Sequence, residues 1–374
     1  MARSGGRSLS RFQSTISGGV QSNERPCVAA TQSETKVETV MRPQISARLM
    51  MLAMLVCTAL HSTAQTCQAS AELDDATRTA MTATGQRYYA MAASGDIASM
   101  RQNAIPSLAA DFSNVEGPVK YRQSDLAAAQ PAVKNIFLLE EQGVAPDPHA
   151  EFLCGVFNKN GLTATGAAFY LDNLPPGKYG IVLIEATSSK GRINFSEILQ
   201  LTGTDWKLGG LYIKAEQVNG HDGNWFANQA RDYKAKGQIH NAWLYYQEAR
   251  DLLSPLPFMS TLATDKMFDE SQNLLPPDFP YEGKQVDLAV SGVTYKLISV
   301  YPAVVGNDLD VYVKYQAAAD VTNTSLSFQN NMAVIHGMMA KYPEFRDAFV
   351  GFGVRAIDPN GHDYNTLLAM KDIK

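Results

Sequence analysis

The chain changes hydrophobic period several times, and each change marks an element. From Leu73 to Ala93, Ala76, Ala80, Tyr88 and Ala92 recur at helical spacing behind Asp74-Asp75, whose carboxylates favour a helix N-terminus. Gly95-Asp96 ends that helix, and Asp96 is placed to cap a second, short one through Met100 toward Ile105-Pro106. Ser124 to Leu139 reads as a third helix, kinked or split at Pro131. The period then becomes two. Glu151 to Phe157, Ala167 to Leu171, Lys178 to Thr187, Arg192 to Leu201 and Trp206 to Ile213 are strand-like runs separated by Asn-Gly, Pro-Pro-Gly, Ser-Lys-Gly and Gly-Thr-Asp turns. Runs this close together predict an antiparallel meander, and helices followed by a sheet make residues 72–215 an α+β domain.

Helical spacing returns between Asp222 and Leu275. Phe226, Ala230, Tyr233, Gly237, Ala242, Tyr246 and Ala249 predict two antiparallel helices meeting through small residues and aromatic knobs, with Thr261 to Leu275 as an extra helix. The Leu274-Leu275-Pro276-Pro277-Asp278-Phe279-Pro280 stretch is extended and poor in backbone donors, and reads as a linker. Residues 281–374 then predict a second α+β domain. Val286 to Val290, Thr294 to Tyr301 and Leu309 to Tyr315 alternate as strands. Ser325 to Tyr342 is helical, with Met332, Ile335, His336 and Met339 on one face and His336 expected in the core. Ala348 to Ile357 and Tyr364 to Met370 form a hairpin across Asp358-Pro359-Asn360-Gly361.

The start of the chain has another character. Residues 1–40 are rich in Ser, Gly, Thr and Arg without periodicity, and read as a disordered or non-native leader. Arg42 and Arg48, the apolar run Leu49 to Leu60 and the small residues Ser62-Thr63-Ala64 make 41–64 a cleavable bacterial-type signal peptide. The run is shorter than the roughly 20 apolar residues that span a bilayer. Cleavage after Ala64 is expected, with Ala71 the alternative, and the destination is the periplasm or the exterior. Cleavage at Ala64 keeps Cys67 available for a disulfide with Cys154; the competing reading is a buried free thiol at Cys154.

Composition narrows the function classes. Of 374 residues 18% are charged and 45% hydrophobic, which is globular material, and the net charge of −5 argues against a nucleic-acid partner. His221, His240, His336 and His362 lie far apart with no paired spacing, so no metal is expected. Phosphate-binding, dinucleotide and nucleophile-elbow motifs are missing from the sequence, and no cofactor is implied.

Two resemblances add to this reading. Gly95-Asp96, Ile105-Pro106-x-Leu108 and Trp206-Lys207-Leu208-x-Gly210-x-Tyr212-Ile213, in that order of helices and strands, resemble the NTF2-like superfamily over about two fifths of the chain. The resemblance implies a bent sheet wrapped on helices with a pocket at the open end. Its members include isomerases and dehydratases as well as plain binders, so fold does not decide function. It implies candidates inside the cone: Tyr88, Tyr89 and Asp111 from the helices, Glu185 or Glu197 from the strands. Adjacent Tyr88 and Tyr89 are expected to split, one inward and one to solvent, and Glu185 to be solvated. The 226–249 spacing resembles one tetratricopeptide repeat, with Pro255 one position late and Trp225 one early. It implies either a peptide-docking groove with Tyr233, Trp243 and Tyr246 as contacts, or a helical spacer, since one repeat cannot bury its own faces. Together these readings predict an exported, non-enzymatic binding or protein-interaction module with a protein partner at the hairpin or a small ligand in the cone. The rival is an isomerase or dehydratase acting in the cone.

Overall fold

The chain enters the fold as an edge strand, β1 (Thr66–Ala69), and Asp74 then opens α1 (Asp75–Ser94) by accepting a hydrogen bond from Thr77 N at 2.8 Å. Gly95, at φ 75°, closes it, and Asp96 caps α2 (Ile97–Gln102) through Ser99 N. Short α3 (Pro106–Ala110) leads into α4 (Ser113–Ala127). The computed structural model describes residues 65–374 apart from 156, 159–160, 163–165 and 282. The expected leader and signal peptide lie outside the described residues.

Ser124 to Leu139 is not a helix: it is shared between the end of α4 and β2 (Gln130–Glu141), with Pro131 near the start of the strand. The physical reason is a strand apolar on both faces. Ile136 joins a core on one side of the sheet and Phe137 and Leu139 join another on the opposite side, so no period of two survives in the sequence. The strands continue as β3 (Asp147–Cys154), β4 (Ala167–Leu174), β5 (Gly177–Ser188), β6 (Gly191–Thr202) and β7 (Asp205–Ala215). They do not form one meander. The five-stranded antiparallel sheet has the order β1-β2-β5-β6-β7, while β3 and β4 leave it and pair in a separate sheet, joined there by β8 (Met259–Thr261). The helices α1 to α4 cover one face of the five-stranded sheet through Met81, Tyr88, Phe112, Ile184 and Phe195. The small sheet covers the other face through Phe137, Phe152, Phe169 and Ile181. Cys67 on β1 and Cys154 on β3 form a disulfide between these two β layers, with Cα atoms 5.0 Å apart.

The helical hairpin follows, α5 (Gly223–Ala235) and α6 (Ile239–Leu253), turned at Gly237 (φ 77°), with α7 (Leu262–Ser271) packed on α6. The second sheet unit consists of β9 (Val286–Val290), β10 (Val293–Val305), β11 (Asp308–Gln316), α8 (Thr324–Lys341), β12 (Gly351–Ile357) and β13 (Asp363–Ala369). Strand order equals chain order. Only β11 and β12, the pair bridged by α8, run parallel in this sheet. The whole is α+β. Asn323 caps α8 through Leu326 N, and Gly337 lets it lie against β9, where an added Cβ would collide with Val290 Cγ2. His336 is exposed and not in the core, because the buried stripe of α8 is Asn331, Val334, Ile335, Met338 and Met339.

Hairpin and C-terminal sheet share one core, in which Phe226, Tyr233, Tyr245 and Ala249 pack with Phe279, Val311, Phe345 and Phe352. The proline-rich stretch is pinned within it: Phe279 is buried, and Asp278 accepts from Tyr342 Oη at 2.9 Å. His240 sits between two carboxylates, Nδ1 at 2.8 Å from Glu344 and Nε2 at 3.0 Å from Asp278, against the rings of Phe279 and Tyr342. Charged hydrogen bonds contribute about 1.5–3 kcal/mol each. Replacing His240 with Ala is therefore expected to destabilise the protein by about 2 kcal/mol in denaturant unfolding, and an unchanged midpoint would remove the clamp from the account.

Candidate functional site

The cone candidates fall on or near the interior between α1 to α4 and the five-stranded sheet. Both tyrosines of the Tyr88-Tyr89 pair are buried, correcting the expected split. α1 is enclosed on a wide arc, sheet on one side and α4 on the other. The Tyr88 hydroxyl donates to Asn103 O at 2.6 Å and accepts from Leu208 N at 3.0 Å; that of Tyr89 donates to Leu126 O at 2.8 Å. The Tyr89 ring meets Phe195 edge-on at 5.1 Å. Burial raises both tyrosine pKa values, so these hydroxyls stay protonated and committed to backbone. Asp111 is on the surface, where it accepts from Ser113 Oγ at 2.6 Å, and does not enter the interior.

Glu197 does enter it. Its side chain is fully buried on β6, and neither carboxylate oxygen has a hydrogen-bond partner. Gly85 of α1 makes the room, since a Cβ there would lie 2.7 Å from Glu197 Oε2 and 2.8 Å from Val182 Cγ1. Burial holds the Glu197 pKa well above the usual carboxylate range, opposed by the positive charge of Arg87. The carboxyl is sealed between helix and sheet, and burial favours its protonated form.

A second constellation lies where the five-stranded sheet meets the start of the hairpin. Lys134 and Asn135 of β2, Arg192 and Asn194 of β6, Glu216, Asp222 and Asn224 line a cleft of about 250 Å³ closed by Leu252, Leu253 and Pro255. Arg192 organises it. Its Nε is 3.0 Å from Glu216 and 3.9 Å from Glu185, and its Nη2 is 3.8 Å from Asp222, the N-cap of α5. Lys134 Nζ reaches Glu185 at 2.9 Å. Glu185 is thus half-buried in ion pairs. Burial raises the Glu216 pKa, offset by its bond to Arg192, with Glu185 adding to the rise. The amides of Asn135, Asn194 and Asn224 make no side-chain hydrogen bond among the described residues, so three donor–acceptor groups face the cleft unused. At its edge His221 stacks on Trp225 at 3.8 Å.

Of the residues in this network only Glu185 is a candidate in the sequence, where it is expected inside the cone or solvated; it lies instead in the ion pairs of Lys134 and Arg192. One signal was present: Arg192, Asn194 and Ser196 alternate with Ile193, Phe195 and Glu197, which marks a polar face on a strand whose other face is core.

The hairpin tyrosines look inward. Tyr233 Oη donates to Asp347 O at 2.8 Å, and Tyr246 Oη lies 3.2 Å from Glu270, which also takes the forked contact of Arg231. Trp243 is half-buried against the same core. Asp320, Asp358 and His362 bring three ligand atoms within 4.8 Å of one another, but Asp358 Oδ1 already accepts from Asn360 N and His362 N, and the group closes the β12–β13 turn. Among the described residues no helix is long and apolar enough to cross a membrane.

No family model, curated protein or solved structure matches this chain.

Proposed function

We propose that this is an exported, non-enzymatic binding protein that takes a small, neutral, hydrogen-bonding ligand in the cleft around Arg192. The observation that carries the reading is the set of three unused amides beside an internally compensated charge network. Three carboxylates against two cations leave little net charge to attract an ion, while Asn135, Asn194 and Asn224 offer paired donors and acceptors. A hydroxyl-rich ligand of monosaccharide size fits that chemistry. The NTF2-like reading of residues 72–215 and the tetratricopeptide-like reading of 222–275 belong to the same proposal: helices followed by antiparallel strands, then a helix pair meeting through Ala230 and Ala242, support each. The hairpin serves here as a wall of the cleft and a spacer to the C-terminal sheet.

Titration calorimetry with a panel of neutral saccharides tests it. One or more should bind, and Asn194→Ala should weaken that binding about tenfold, the loss of a buried hydrogen-bonded group costing about 1–3 kcal/mol. Binding that is indifferent to Asn194→Ala and Asn135→Ala, or no binding across the panel, would refute the cleft.

Acid–base chemistry in the cone is a second reading, favoured by the buried Glu197, whose pKa burial raises. It requires α1 to lift from Val182 to admit a substrate. Protection of the Glu197 amide from hydrogen exchange at the level of global unfolding would exclude that opening.

A further inference from the structure

A second buried carboxyl lacks a partner. Glu141, at the end of β2, is 3% exposed, and neither of its oxygens is hydrogen-bonded. Its pKa is raised by burial first and by the nearby charge of Asp147, with the Gln65 amide offsetting part of this. Burial, and then the charge of Glu141 itself, raise the Tyr179 pKa. An acid left like this in a strand between ordinary partners needs an explanation.

The register supplies one. β1 pairs with β2 as Thr66↔Glu140 and Cys67↔Leu139, so one step further places Gln65 opposite Glu141. Facing residues of an antiparallel pair have Cα atoms about 4.5–5.5 Å apart. The Gln65 side chain is itself fixed, donating to Asp147 Oδ2 at 2.6 Å and accepting from Glu151 N at 3.0 Å. Register and side chain together bring Gln65 to the end of β2 where Glu141 and Asp147 lie.

We propose that hydrolysis of the Ala64–Gln65 bond completes this site, the freed α-ammonium of Gln65 becoming the counter-ion of Glu141. The inference rests on the export reading. A signal peptidase directs water to the bond: hydroxide goes to the Ala64 carbonyl, the C–N bond breaks, and the Gln65 nitrogen leaves as an amine that is protonated at neutral pH. Cleavage after Ala71 would instead remove β1, half of the disulfide and the Ser70 hydroxyl that bonds both Ile136 N and Ile136 O. The fixed Gln65 side chain also keeps its amide carbon from the amine, which resists cyclisation to pyroglutamate.

The test uses the full chain exported from a bacterial host and purified from the periplasm. Intact mass should place the first residue at Gln65. Its α-amine should titrate above the roughly 7.7–8.0 of an ordinary chain terminus by about one unit, and so acylate about fivefold more slowly at pH 8 than in Glu141→Gln, with Asp147→Asn giving a smaller change of the same sign. A mature chain beginning at Glu72 would overturn the Gln65 site and leave export standing, whereas one that keeps its leader would overturn the export reading. A chain beginning at Gln65 that acylates at the ordinary rate in wild type, or that has lost ammonia to pyroglutamate, would overturn the ion pair and leave export standing.

Discussion

Replacing Cys67 and Cys154 together with Ala lowers the unfolding free energy by about 4–5 kcal/mol, the expectation for a cross-link closing a loop of this length. The two cysteines are 87 positions apart, and the bond ties the short edge strand β1 to β3 in the other β layer. Without it, four residues of strand pairing hold the N-terminus, and β1 frays from β2. A loss of that size is a large part of the 5–15 kcal/mol that holds most domains folded. Denaturant melts of the wild type with and without reductant, beside the double variant, measure it. Coincidence of all three midpoints would mean that the disulfide adds nothing to stability.

Glu197→Gln should act in the opposite direction, and only above acid pH. The folded-state pKa of Glu197 lies above its unfolded value, so the native state holds a proton that the unfolded chain releases. Stability contributed in this way is present below the unfolded value and falls as pH rises through the interval up to the folded pKa. Glutamine carries no such proton. The variant should match or fall slightly below wild type at pH 4 and exceed it by about 1–3 kcal/mol at pH 7–8, the range for a buried group without its partners. Other groups share the trend, since burial pushes Glu248 up to about 7 and Asp310 up to about 6, so the difference between the two proteins is the informative quantity. A difference constant from pH 4 to 8 would mean that Glu197 is ionised in the fold.

The extent to which the sequence foretold this depends on how local each signal was. Asp74, Gly95 and Asp96 mark helix ends through contacts three or four residues away, and the Asn-Gly turn before β13 is equally local, with Gly361 at φ 83°. β2 was misread because Ala127 to Ala129 extends a helical pattern and the apolar run Ile136 to Leu139 serves two cores. The division of the strands into two sheets depends on Met259 pairing with Phe169, a contact invisible to any window of ten residues. Glu197 was among the cone candidates, yet its isolation comes from Gly85 and Val182, which no spacing connects to it. The cleft is hidden for the same reason: five separated segments bring its residues together.

The small strand β8 has a consequence for how the molecule reaches this state. It lies beyond the hairpin in the chain but completes the sheet begun by β3 and β4, with Met259 against Phe169 and Phe258 O accepting from Tyr170 N. Partners so distant meet only after a large loop has closed, and such contacts slow folding. The β3–β4 pair must therefore wait, one edge open, while the intervening sheet and both hairpin helices are made. During that interval its exposed edge is the part of the nascent protein most open to pairing with a neighbouring chain.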